Sequence, residues 1–214
     1  ILFANLMESQ PLVRVVYGVH QRLRGTWVAT ALVSCYGLVA LVTMAPARNR
    51  GARVLVLAKH ENARRQVARI VSFLGADECG WVRTGKKTVI SGSSLAGLAL
   101  CLSRRRCVRT LRVVGAIDRR HGFLVSCRAA GAIAWYGRAK AILAAHKPRA
   151  ILVSSDSNPE EVGFDGAART LAIPRIFVSH AYPTPLSPPL DFSLSILEGE
   201  AAVNARRKKG AISG

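Results

Sequence analysis

The chain has 214 residues, of which 50% are hydrophobic, and its 31 basic against 12 acidic side chains give a formal net charge of +19. This length suffices for a buried core. The five cysteines are odd in number and form no CxxC pair, which excludes a complete disulfide framework and favours reduced thiols. Neither cysteine nor histidine recurs at a spacing typical of a metal site.

The charge is distributed unevenly along the chain. Residues 1–150 hold 25 of the basic side chains, whereas residues 151–214 hold 6 basic and 7 acidic ones. This asymmetry indicates that one face meets an anionic partner, which is nucleic acid, a phospholipid surface or an acidic substrate. Charge alone does not rank these partners.

Residues 1–50 are expected to form an N-terminal helical segment associated with a membrane. Residues 1–24 mix apolar and basic positions, which is typical of an amphipathic helix on a membrane surface. The stretch from Gly25 to Ala47 carries no charge and is long enough to span the hydrocarbon layer, with Trp27 placed to anchor one end at the interface. The alternative is a buried core helix whose hydroxyl side chains bond back to its own turns.

The body of the chain, residues 51–214, predicts alternating strands and helices. Apolar runs of four to five residues are typical of strands buried on both faces of a parallel sheet, and helical periodicity follows them. We expect strands at 54–58, 88–90, 150–154, 175–179 and 191–197. We expect helices at about 60–74, 91–102, 103–122, 127–146, 159–171 and 198–209.

Together these elements predict an α/β fold with a Rossmann-like open parallel sheet flanked by helices, preceded by the N-terminal apolar helix. The charged face of the basic helix at 103–122 is expected to be solvated or to lie on anionic lipid. Nucleic acid is the less favoured partner, since few aromatic residues lie among the basic ones to stack bases.

Ligands of open parallel sheets bind beyond the carboxyl ends of the strands, where three polar loops of this chain are predicted to converge. Asp156 is the candidate carboxylate for orienting a hydroxyl or acting as a base, and His180 is the candidate acid or base near neutral pH. The predicted substrate-binding residues lie in the same loops; they are His60, Glu61, Ser155, Ser157, Asn158, Tyr182 and Thr184.

Each of these residues also has a structural alternative. Asp156 could cap the following helix, as could Ser157 or Asn158. His180 could tie the proline-rich loop 182–189 to its strand, and His60 and Glu61 could be ordinary first-turn helix residues. The sequence carries no GxGxxG fingerprint after the first strand, no complete P-loop, no GxSxG elbow and no HExxH pair.

Three segments resemble a known family. The order of elements in ILVSSDSNPEE, AARTLAIPRIFVSHAYPT and the opening RVLVLAKHENARRQVARI is similar to that of the N-terminal, acceptor-side domain of GT-B-fold glycosyltransferases and related nucleotide-sugar epimerases and glycerophosphotransferases. The resemblance extends over residues 53–200. It implies that the loops at Asp156 and His180 face the acceptor and that the main nucleotide-sugar contacts belong to a second domain, found here in a further segment or on a partner subunit.

The resulting hypothesis is the membrane-associated acceptor-side half of a glycosyltransferase for surface polysaccharide or glycolipid, working at the cytoplasmic face of a membrane. Such an enzyme would need no cofactor, with a nucleotide-sugar as its donor substrate. Its expected partners are a membrane surface or lipid-linked acceptor and a donor-binding subunit. The alternative is a non-catalytic membrane-anchored α/β scaffold, which would tolerate loss of Asp156 and His180 but not of its basic residues at 104–106, 119–120 and 206–209.

Overall fold

The computed structural model describes residues 11–39, 51–82, 104–179, 183, 187 and 189–212. Its helices are α1 (Pro11–Arg22), α2 (Trp27–Val39), α3 (Glu61–Leu74), α4 (Arg104–His121), α5 (Phe123–His146), α6 (Pro159–Thr170) and α7 (Gly199–Arg207). Its strands are β1 (Val54–Leu57), β2 (Cys79–Trp81), β3 (Ala150–Val153), β4 (Arg175–Val178) and β5 (Leu194–Ile196).

Within the described residues the strands form one parallel sheet in the order β2-β1-β3-β4-β5. Val54 of β1 is in register with Cys79 of β2 on one side and with Ala150 of β3 on the other. The chain therefore runs outward from β1 to β2 and then returns past β1 to β3. The predicted Rossmann-like α/β sheet flanked by helices is confirmed.

Side chains of the inner strands alternate between two buried layers, as the pleat requires. Leu55, Ile151 and Phe177 lie in one layer with residues of α5 and α6. Val56 and Leu152 lie in the other layer, under α3. Because helices cover both faces, these strands are apolar apart from Arg175 at the start of β4.

Helices α5 and α6 approach each other very closely at Gly163. A Cβ atom at this position would lie 2.5 Å from the Cβ of Trp135 and 2.7 Å from the backbone nitrogen of Tyr136. The glycine therefore sets the distance between the two helices.

The N-terminal helices pack on the first half of α5 and are part of the same folded unit. Val33 of α2, Val114 of α4 and Phe123 of α5 form a small buried cluster there. A polar contact joins the helices as well, since His20 Nε2 lies 2.9 Å from both carboxylate oxygens of the buried Asp118.

The apolar stretch predicted to span a membrane is a shorter, packed helix where it is described. In α2, Ala29 and Val33 are fully buried, and Ser34 donates to the carbonyl of Thr30 at 2.9 Å. No helix in the described part of the chain has the length and hydropathy needed to cross a membrane. The described part of the predicted segment, residues 25–39, thus matches the core-helix alternative, and residues 40–47 lie outside the described residues.

Other predicted elements agree with the structure to within a few residues, with one strand missed. Strand β2 has the sequence Cys79-Gly80-Trp81 and joins the sheet although it is only three residues long. Neither an apolar run nor an alternating pattern marks it, so its pairing with β1 is decided by tertiary contacts. The strand predicted at 88–90 and the helix predicted at 91–102 lie outside the described residues.

Candidate functional site

The candidate site lies at the carboxyl edge of the sheet, between the neighbouring strands β1 and β3. Helix α3 leaves β1 over one face of the sheet, and α6 leaves β3 over the other. The two connections therefore separate at this edge. The space between them, called the crevice below, is where open α/β sheets bind ligands.

The loop after β3 is shaped by the hydroxyl of Ser155. Its Oγ accepts the backbone N–H groups of Ser157 and Asn158, each at 3.2 Å. Asn158 is the N-cap residue of α6 but makes no side-chain cap hydrogen bond. Arg128, from the first half of α5, donates to the carbonyl of Ser157 at 3.0 Å. The loop is thus fixed by Ser155 and Arg128.

Asp156 forms an ion pair with Arg206, which is a different role from the helix capping that was its structural alternative. Arg206 Nη1 of α7 donates to Asp156 Oδ2 at 2.6 Å, and the two side chains are 4% and 14% exposed. The guanidinium also lies over the ring of Phe177, 5.4 Å from its centroid. Arg206, expected among the basic surface residues of a scaffold, is therefore buried, and catalysis by Asp156 stays a prediction.

Glu161 is the residue that the sequence analysis missed. Its side chain is almost fully buried, and its carboxylate accepts the backbone N–H of Ser154 at 2.8 Å together with those of Ser155 and Lys59. These bonds tie the end of β1 to the end of β3. Burial raises the pKa of Glu161 to about 7, although the N–H donors and the Ser154 hydroxyl oppose that shift.

The signal for Glu161 was present in the sequence. A glutamate at the third position of a helix commonly reaches back to backbone N–H groups before the helix, as in a capping box. In this chain Asn158 is the N-cap and Glu161 stands three residues later, but its carboxylate reaches further back, to the end of β3.

The loop after β1 contributes a second link across the crevice. Lys59 Nζ lies 2.6 Å from Glu160 Oε1 in the first turn of α6. His60 and Glu61 follow on the exposed surface, where His60 is the N-cap residue of α3 and Glu61 pairs with Arg65 one turn later at 3.4 Å. Both are first-turn residues, which was their structural alternative, and they lie beside Lys59.

The third predicted loop is described only at its start. Ser179 follows β4, is buried, and donates its backbone N–H to the carbonyl of Ile196 in β5 at 2.9 Å. His180, Tyr182 and Thr184 lie outside the described residues, so their roles stay predictions.

The described groups can bind a polar ligand, and one of them can exchange a proton near neutral pH. Ser157 is exposed and Asn158 is half-buried in the loop after β3, whereas Glu161 is buried. The carboxyl group with a pKa of about 7 is therefore placed to hold the loops rather than to touch a ligand. Among the described residues no group of three histidine, cysteine or acidic side chains is placed to hold a metal ion.

Comparisons of this chain with protein-family models, with curated proteins and with solved structures find no match.

Proposed function

We propose that this chain is the acceptor-side half of a glycosyltransferase that builds a surface polysaccharide or glycolipid. The observation that supports it is the gathering of polar groups at the carboxyl edge of β1 and β3. The loop 154–158, the Lys59–Glu160 pair and the buried Glu161 all meet there, where doubly wound sheets bind their ligands.

In this proposal the acceptor hydroxyl loses its proton to His180 as its oxygen attacks the anomeric carbon of the donor sugar. The bond from that carbon to the phosphate oxygen breaks, and the nucleotide leaves. Asp156, held by Arg206, orients the acceptor together with Ser157 and Asn158. The simplest outcome of such a displacement is inversion at the anomeric carbon.

The donor nucleotide-sugar is a substrate, and its main contacts would come from a second domain or a partner subunit. The acceptor would be lipid-linked and reached at the cytoplasmic face of a membrane. The geometry gives this location some support, because Arg128 links the loop after β3 to the first half of α5. The basic helices α1 and α4 pack on that same half of α5.

One observation favours a second candidate, a non-catalytic scaffold that recruits a partner to a membrane. Asp156 and Glu160, two of the carboxylates near the crevice, are ion-paired with Arg206 and Lys59. Paired groups of this kind stabilise a loop as readily as they serve catalysis. A scaffold would keep these pairs and have no need of His180.

Measuring sugar transfer in the cells that make the protein distinguishes the two candidate functions. The gene is deleted and restored as wild type, as His180→Ala or as His146→Ala, and membranes are supplied with radiolabelled nucleotide-sugars. His146 is the matched control, because it ends α5 close to the opposite edge of the sheet. Loss of a general base lowers transfer by about 100-fold or more at equal protein abundance.

A transferase predicts that label depends on the gene, falls in His180→Ala and is retained in His146→Ala. Equal label in the deletion strain and in the restored wild type contradicts transfer by this chain. If the His180→Ala strain incorporates as much label as wild type, His180 is not the general base and the scaffold is favoured.

A further inference from the structure

An open groove of about 410 Å³ lies between the start of α2 and one face of α4. Thr26, Trp27 and Thr30 line it on the α2 side, and Arg112, Gly115 and Arg119 line it on the α4 side. This set of residues is called the Trp27 groove below. It is separate from the carboxyl edge of the sheet and has no part in the chemistry proposed there.

The groove is built by close packing of the two helices at its floor. A Cβ atom on Gly115 would lie 3.1 Å from Thr30 Oγ1, so the glycine lets α2 approach α4. Arg112 and Arg119 are seven residues apart and therefore lie on the same face of α4, about 10 Å from each other along the helix axis. Both are exposed, and they place two guanidinium groups along one wall.

Trp27 is the apolar element of the groove. It is 81% exposed, whereas tryptophan is highly buried on average in folded proteins. An indole ring joins a large apolar surface to one N–H donor, and this combination favours the boundary between water and the hydrocarbon of a membrane. Trp27 thus gives the groove a group that can insert among lipid chains beside two cations.

Among the described residues, the surface around the groove is basic without compensating acids. Arg22, Arg24, Arg109 and Arg120 are exposed on α1, the turn after it and α4. Asp118 is the one acidic residue in α1, α2 and α4, and it is buried against His20. The field at this face is therefore positive and would attract a surface of anionic phospholipids, at roughly 1 kcal/mol for each basic residue near it.

We infer that the Trp27 groove binds anionic phospholipid headgroups, with Arg112 and Arg119 on the phosphates and Trp27 inserted at the interface. Single-stranded nucleic acid is the weaker fit, because Trp27 is the one aromatic side chain among the described residues that line the groove and stacking of successive bases needs several. The inference rests on the membrane location in the proposed function and is independent of sugar transfer.

The test is cosedimentation of the full chain with vesicles of phosphatidylcholine alone or mixed with an equal part of phosphatidylglycerol. The groove variant is Arg112→Glu with Arg119→Glu. Its control is Arg69→Glu with Arg207→Glu, which reverses two exposed arginines of α3 and α7 and lowers the net charge by the same amount. The groove variant is expected to bind the anionic vesicles about 20-fold less tightly, and the control less than about threefold.

The role of the indole is tested with a second matched pair. Trp27→Ala is expected to lower binding at least about fivefold, whereas Phe73→Ala is expected to leave it unchanged. Phe73 is a suitable control because it is 92% exposed and lies on α3, away from the groove. Circular dichroism of each variant confirms folding. Brominated lipid should quench part of the wild-type fluorescence but leave nearly unchanged that of Trp27→Phe, which comes from Trp81 and Trp135.

Three outcomes would overturn the inference. Equal losses in the groove and control variants would show that net charge, and not this groove, holds the protein to the vesicles. Failure of the wild type to bind either vesicle would overturn both the groove and the membrane location, while leaving sugar transfer to its own test. Tighter binding of single-stranded RNA than of vesicles, abolished by the groove variant, would assign the groove to nucleic acid.

Discussion

Arg206 and Asp156 are 50 residues apart in the sequence, yet their side chains form a 2.6 Å ion pair that joins α7 to the loop after β3. Both side chains are largely removed from water. A buried charge that loses its partner is left without solvation. The pair therefore fixes the position of Asp156 at the candidate site and also couples that loop to the C-terminal helix.

Replacing Arg206 by methionine is expected to lower the free energy of unfolding by about 3 kcal/mol, because Asp156 would remain as an uncompensated charge. In an Asp156→Asn background the same replacement should cost at least about 1 kcal/mol less. Urea unfolding of the four proteins in this double-mutant cycle measures the coupling. The control Arg207→Met, on the exposed side of α7, should stay within about 0.5 kcal/mol of wild type. A cost for Arg206→Met that is the same in both backgrounds would contradict the coupling.

The buried carboxyl of Glu161 should make stability depend on pH. Its pKa is about 7 in the folded protein against 4.5 for the free group, so the folded state binds this proton more tightly than the unfolded state. The stabilisation is complete below pH 4.5, falls as the pH rises toward 7, and is absent above that range. The total change attributable to this group is about 3 kcal/mol.

Comparison with Glu161→Gln isolates this contribution, because the glutamine oxygen can still accept the N–H of Ser154 but cannot ionise. The difference in unfolding free energy between the two proteins is measured in steps from acid to mildly alkaline pH. We expect wild type to lose about 3 kcal/mol relative to Glu161→Gln across this range. A difference that is constant with pH would mean that the pKa of Glu161 is the same in the folded and the unfolded protein.

Gly163 and Gly166 lie one turn apart in α6 and should respond oppositely to alanine. At Gly163 the new Cβ would meet the backbone of Tyr136 at 2.7 Å, so α5 and α6 would have to separate at a cost of about 2–3 kcal/mol. At Gly166 the nearest atom is Tyr136 Cδ2 at 3.5 Å, an ordinary contact. Alanine there should raise stability by about 0.5–1 kcal/mol through its higher helix propensity. Thermal unfolding of both variants checks this, and equal effects would contradict the packing described for Gly163.

The sheet was predictable from sequence where its strands are apolar runs covered on both faces. β1, β3 and β4 follow this pattern, and their predicted and observed positions differ by a single residue at the carboxyl end. β2 carries no such run, and its place in the sheet depends on β1, which lies more than twenty residues earlier in the chain. In the described part of the predicted membrane segment, Ala29 and Val33 are buried in a helix covered by α4 and α5, and hydropathy alone does not distinguish such a cover from lipid.

The candidate site was predictable in position but not in its internal contacts. The rule that polar loops follow parallel strands placed Ser155 and Asp156 at the correct edge. Which oxygen meets which donor depends on α7, whose Arg206 reaches Asp156 from a distant part of the sequence. For the same reason the turn is held by Ser155, and not by the residues that local capping preferences had suggested.

Photo-crosslinking in cells that make the protein shows whether the edge between β1 and β3 holds the acceptor. A photoreactive amino acid replaces Asn158, whose side chain makes no cap hydrogen bond, or Phe73, which is exposed on α3. Cells are fed a radiolabelled sugar and irradiated. We expect labelled glycan or glycolipid attached to the chain from position 158 and none from position 73. Equal labelling at both positions, or none at 158 in cells that still form the product, would contradict it.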